Sequence, residues 1–172
     1  MRFLRFIFSI FIILIVMLLA SMLLPSNVMV TKSILINAAQ NKVDDQVQDF
    51  DNWKNWYPAF QNENVSVKNI PAKPGIINSV SLKDSKGKTI NFNLMESKRD
   101  TILVDLESGS STQVSYEFII TSHTVGHTQL TWNVNASLGW YPWNKIKGIF
   151  LDKITGAQYE EALKMLKLAA EK

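Results

Sequence analysis

Between residues 28 and 138 the chain repeats one pattern: short stretches that alternate apolar and polar residues, each closed by a turn signal. In VMVTKSILI (28–36), Val28, Val30, Ile34 and Ile36 share one face at period two. The pattern returns in NVSVKNI, INSVSLK, TINFNLMES, TILVDLE, TQVSYEFIITS and TQLTWNVNASL, separated by PAKPG, DSKGK, SGSS and HTVGH. Short alternating stretches with turn signals roughly every 8–12 residues predict a mostly antiparallel sheet. Such a sheet normally buries one face. Parity assigns to that face Ile90, Phe92 and Leu94 together with Glu96; then Val114, Tyr116, Phe118 and Ile120; then Leu130, Trp132, Val134 and Ala136.

Helical patterns flank the strands. After Asn37, a good helix cap, AAQNKVDDQVQDF places Val43, Val47 and Phe50 at i, i+4, i+7. Pro58 ends helical character by disfavouring the α conformation at Tyr57. The C-terminal stretch carries Ile146, Ile149, Phe150 and Ile154, then Tyr159, Leu163, Leu166 and Ala170, in two stripes slightly out of register near Gly156. It reads as a long closing helix, with Lys164, Lys167 and Lys172 complementing the negative end of its dipole.

From Phe6 to Leu24 nineteen residues carry no charge. About 20 apolar residues in a helix cross the hydrocarbon core of a bilayer, so residues 1–25 are expected to be a transmembrane anchor. Arg2 and Arg5 precede the run, which places the N-terminus in the cytoplasm and residues 26–172 on the far side, periplasmic in a two-membrane bacterium. A cleaved signal peptide is the rival reading; against it stand the length of the run and the absence of a small-x-small site in SMLLPSN.

The two arginines account for two of the 18 basic residues, so residues 26–172 hold 16 against 15 acids. That near-neutral balance gives no electrostatic case for nucleic acid. Zero cysteines exclude disulfides, thiolate catalysis and Cys-type zinc sites. His123 and His127 flank a turn and no carboxylate completes a ligand set, so no metal is expected. A Gly-x-Ser-x-Gly elbow and phosphate-cradling glycine loops are absent as well, and no cofactor is expected. Glu96 is the one carboxylate that parity puts on an apolar face, where burial would raise its pKa; the plainer reading is a solvated strand end beside Lys98 and Arg99.

Four of the five tryptophans fall in two clusters, NWKNWYPAF (52–60) and GWYPWNK (139–145). The segment KSILINAAQNKVDDQVQDFDNWKNWYP resembles the opening of the START-like (SRPBCC) superfamily, in its bacterial polyketide cyclase/dehydrase-like branch. The signature residues are Asp49, Phe50, Trp53, Trp56 and Pro58. TQLTWNVNASLGWYPWNKIKGIFLDKITGAQYEEALKMLK is similar to the family's last strand and closing helix. The stretch GIINSVSLK departs from it, lacking the glycine-rich strand common there.

The resemblance implies an α+β, helix-grip (START/Bet v 1-like) domain over 26–172, a curved antiparallel sheet of about seven strands around the C-terminal helix. It also implies a cavity between sheet and helix. The expected lining is Phe92, Leu94, Tyr116, Phe118, Trp132, Val134, Trp140, Phe150, Tyr159 and Leu163, with Tyr116 and Trp132 as polar handles. Trp53 and Trp56 read as packing, while Trp140 and Trp143 are divided between pocket rim and membrane-proximal rim. The expected function is non-enzymatic binding of an apolar or amphipathic, lipid-like molecule by a membrane-anchored domain. A cyclase-like acid–base enzyme and a structural domain with a filled cavity are the alternatives. The sequence sets no oligomeric state.

Overall fold

A computed structural model of the chain describes residues 2–62, 65–83, 87–98, 100–109, 112–124 and 126–172, and the side chains of all of these but 2–5, 21 and 22. Parts of three expected turns (84–86, 110–111 and 125), together with Arg99, lie outside the described residues, as do the side chains of Arg2 and Arg5.

Seven strands form one antiparallel sheet: β1 (Asn27–Ile36), β2 (Ser66–Asn69), β3 (Asn78–Lys83), β4 (Thr89–Lys98), β5 (Thr101–Glu107), β6 (Gln113–Thr124) and β7 (His127–Ser137). Their order is β1-β7-β6-β5-β4-β3-β2. Sequential hairpins account for every neighbour except β1, which pairs with β7 and brings Val30 opposite Val134. Between β1 and β2 lie α2 (Gln40–Gln48), a 3-10 helix (Phe50–Asn55) and α3 (Pro58–Gln61); after β7 come α4 (Pro142–Ile149) and α5 (Leu151–Ala170). This is the expected helix-grip arrangement. One sheet face packs on α5 and on the short helices, and the shared core includes Val43, Trp53, Phe118, Trp132, Leu163 and Leu166.

Four local expectations change. Met95 forms a β-bulge: Leu94 faces Val104, yet Glu96 pairs with Leu103, one step out of phase. A bulge inserts one residue and flips the parity beyond it. Glu96 therefore leaves the apolar face and pairs with Lys98 on the surface. The N-cap of α2 is Ala39, without a side-chain cap. Asn37 is engaged elsewhere, its Oδ1 lying 3.0 Å from His127 Nδ1 and its backbone N–H donating to Glu171 at 2.7 Å.

The closing helix breaks at Phe150 (φ −97°, ψ 4°), which separates α4 from α5, and runs unbroken through Gly156. Gly156 is there for closeness: an added Cβ would come within 2.6 Å of Asp152 Oδ1 and 3.2 Å of Lys32 Nζ. Lys32 rises from the inward face of β1 and bonds Asp152 at 3.2 Å and Glu160 at 2.9 Å, fastening α5 to the sheet edge. Gly148 plays a similar part in α4, where a Cβ would strike Leu138 and approach Val28.

The N-terminal run forms one helix, α1 (Arg2–Met22). All its described side chains, 6–20, are exposed. Among the described residues no helix is long and apolar enough to cross a membrane, so the expected transmembrane helix is not supported as a span there.

Candidate functional site

The helix-grip interior is an aromatic cluster. Trp53 and Trp56 project from the 3-10 helix and its end, and both are fully buried. Their indole N–H groups donate to Val47 O and Gln46 O, each at 2.9 Å. These are carbonyls at the end of α2, where a helix leaves its last acceptors free. Two tryptophans three apart can therefore cap the preceding helix with their polar edges and fill the core with their rings. Trp53 lies 4.9 Å from Trp56, 5.6 Å from Phe92 and 6.1 Å from Phe118, centroid to centroid.

Of the residues expected to line a cavity, Phe92, Leu94, Tyr116, Phe118, Trp132, Val134 and Leu163 are buried. Phe92, Tyr116, Phe118 and Trp132 join this cluster, and half-buried Tyr159 of α5 closes it from the other side. Phe118 stacks on Trp132 at 5.0 Å, and Tyr159 meets Trp132 edge-on at 4.9 Å. Trp140 and Phe150 lie outside it, 71% and 51% exposed.

Polar groups converge inside these rings. The hydroxyls of Tyr57 and Tyr116 share a hydrogen bond of 2.9 Å. The Tyr159 ring meets that of Tyr116 edge-on, 6.3 Å between centroids. Burial raises the pKa of all three phenols, Tyr116 most strongly, because a phenolate is poorly solvated there. At neutral pH they are protonated, able to donate or accept a hydrogen bond but not to act as bases. The ring of Trp132 packs against all three tyrosine rings, and its fully buried Nε1 has no hydrogen-bond partner among the described residues. Buried donors are nearly always paired, so a free one in this cluster marks a place where an acceptor would be welcome.

Tyr57 was not among the expected lining residues. Its signal lay in the motif itself, since the proline after it holds it extended (φ −94°, ψ 114°) and turns its ring inward. Glu96 is absent from the interior, and among the described residues no group of His, Cys, Asp and Glu could hold a metal.

Two open spaces lie elsewhere. A groove of about 900 Å³ crosses the opposite sheet face, with Asn93, Asp105, Ser115 and Asn135 in one row across four strands. It touches none of the expected lining residues. A second space, of about 470 Å³, separates α1 from α4 and includes Trp140.

Known proteins place this architecture. A START superfamily protein from Mycobacterium smegmatis is similar in structure with a TM-score of 0.63 and 16% identity, over 84% of this chain and 97% of its own. The Zhui aromatase/cyclase of a Streptomyces species gives 0.64 and 13% identity over 84% and 94%. A Staphylococcus aureus protein of unknown function gives 0.63 and 16% over 84% and 94%. At such identities the likeness is one of fold. No curated protein sequence matches the chain. The sequence profile described as polyketide cyclase / dehydrase and lipid transport matches residues 27–171, nearly all of the chain beyond α1, and to that family the chain belongs.

Proposed function

We propose that this protein is a membrane-tethered, non-catalytic binding domain for an apolar or amphipathic molecule of lipid type. The observation that carries the reading is the unpartnered Nε1 of Trp132, whose ring packs against those of Tyr57, Tyr116 and Tyr159. A molecule with an apolar body and one carbonyl, carboxyl or hydroxyl group would accept from the indole and bury its body against Phe118 and Leu163. The rings fill the interior in the absence of such a molecule, so uptake requires the Tyr159-bearing half of α5 to swing out. The bonds of Lys32 to Asp152 and Glu160 hold that half to β1 and open with it. The tether is the uncharged run Phe6–Leu24, with the N-terminus cytoplasmic and residues 26–172 outside the cytoplasm.

A cyclase-like enzyme is the second reading, favoured by the three protonated phenols, which could donate a proton to a substrate oxygen. It would need a base, and among the described residues of the ring cluster there is no carboxylate or histidine.

Native mass spectrometry of the full chain released from detergent tests the binding reading. A one-to-one lipid adduct is expected, and Trp132→Phe, which removes the free donor, should weaken its retention roughly tenfold, the equivalent of a hydrogen bond of about 1.4 kcal/mol. Trp143→Phe, on the surface, should leave it unchanged. A folded chain that neither retains nor captures a lipid would assign the domain a structural role.

A further inference from the structure

We propose that the exposed aromatic face of α4 and the start of α5 lies in the headgroup layer of a lipid bilayer, with acyl chains filling the groove between α4 and α1. This rests on the tether reading above and adds a second contact to it. Trp140, Trp143, Phe150 and Ile154 are 71%, 58%, 51% and 64% exposed. Trp143 and half-buried Ile146 share one face of α4, while Phe150 stands at the break and Ile154 on α5. Exposed large apolar side chains gathered in one region of the surface mark an interaction site.

Chemistry and position select the occupant. Every described residue lining the groove is apolar, among them Phe11, Leu14 and Leu18 of α1 and Trp140, Trp143 and Ile146 of α4. The ammonium of Lys145, almost fully buried, donates to Leu24 O at 3.2 Å, so α4 is fixed to the very end of the apolar run. If that run enters a bilayer, α4 cannot be far from the surface. Residues 138–151 contain no acid. Lys147 and Lys153 are exposed, while the neighbouring Asp152 is held by Lys32. The face thus offers cations to anionic headgroups and amphipathic rings to the interface, where tryptophan and tyrosine concentrate. The late WYPW phrase serves the membrane on this account, as the early one serves the core.

Bromine quenching of tryptophan tests this with the full chain in vesicles of phosphatidylcholine and phosphatidylglycerol, their acyl chains brominated close to the headgroup. The apolar helix contains no tryptophan, so its insertion is read separately, by flotation with the vesicles. Trp53, Trp56 and Trp132 form a buried, constant background. The chain is expected to float and to lose the emission of its two exposed tryptophans, and the quenchable share should fall to near zero in W140F/W143F. A chain that floats but is not quenched would overturn the docking face and leave the tether standing. If it then also dimerises with concentration, the face belongs to a second copy. A chain that does not float overturns both.

Discussion

Trp132→Phe and Trp53→Phe are the same chemical change at two fully buried sites, yet the structure predicts different costs. Each substitution removes roughly 40 Å³ of ring, which at about 24 cal/mol per Å³ of residual cavity costs about 1 kcal/mol. Lost transfer free energy adds about 1 kcal/mol more. The polar terms have opposite signs. Trp53 Nε1 donates to Val47 O at 2.9 Å, so truncation strands a buried carbonyl and costs a further ~1–3 kcal/mol. Trp132 Nε1 has no partner among the described residues, so truncation removes a desolvation penalty of about the same size. Trp53→Phe should therefore lose about 3–5 kcal/mol and Trp132→Phe close to zero, a gap of about 3–5 kcal/mol. Urea unfolding followed by far-ultraviolet circular dichroism, in mild detergent because of α1, reads both, and unchanged m-values keep the comparison valid. Equal losses would refute the reasoning, because Trp132 would then have a partner, and the case for a donor held ready for a ligand would go with it.

Burial, then the neighbouring Asp45 and Asp100, raises the Asp44 carboxyl to about 6. The folded state thus holds this proton more tightly than the unfolded one, whose value is 3.8, and stability falls as pH rises from about 4 to about 6. Asp44→Asn should gain about 1 kcal/mol at pH 7, after discounting for its partial exposure, and nothing near pH 3. Urea titrations at the two pH values check it. Lys32 behaves in the opposite sense: hydrogen bonds to Glu160 and Asp152 raise its pKa above 10.5, so its contribution is complete below that value and is lost as pH rises through the folded pKa. Melting temperature should drop above pH 10.5 in the parent and drop less in Lys32→Met.

The alternation in β6 and β7 is unbroken, and there parity alone placed Tyr116, Phe118, Trp132 and Val134 on the buried face. Parity failed at Met95 because one extra residue carries no compositional mark, and it took Glu96 with it. Helical periodicity located the second stripe of the closing helix, whose Leu163, Leu166 and Ala170 are buried, but the first stripe is largely exposed at Ile149, Phe150 and Ile154, and the misfit lies at Phe150 rather than Gly156. A glycine is visible in sequence, whereas a break set by the docking of Gly148 on Leu138 and Val28 depends on contacts distant in the chain. The same holds for Lys32, which shares the apolar face of β1 only because α5 brings Asp152 and Glu160 to meet it. The hydroxyls of Tyr57 and Tyr116 come from separate segments, and no local pattern could announce that they would touch.

The two tryptophan clusters share WYP yet end in opposite environments, and what decides this is the element that follows. After Tyr57, Pro58 starts only a four-residue helix, so the chain returns at once and its rings stay over the sheet. After Tyr141, Pro142 starts α4, whose buried side is already committed to Gly148 against Leu138 and to Lys145 at the end of α1. Its aromatic side has no sheet left to cover. Lys145 also joins α4 to α1, while α5 follows α4 after the single residue Phe150. Any pull of the membrane on α4 would therefore be felt at the start of α5, the half that carries Tyr159 and must move for a molecule to reach Trp132. Lipid uptake and membrane contact would then be one linked event. That linkage requires the W140F/W143F chain, its rings only shortened, to take up lipid from vesicles much as the parent does, and a chain with serine at both positions to take it up far more slowly, with retention of bound lipid unchanged in both.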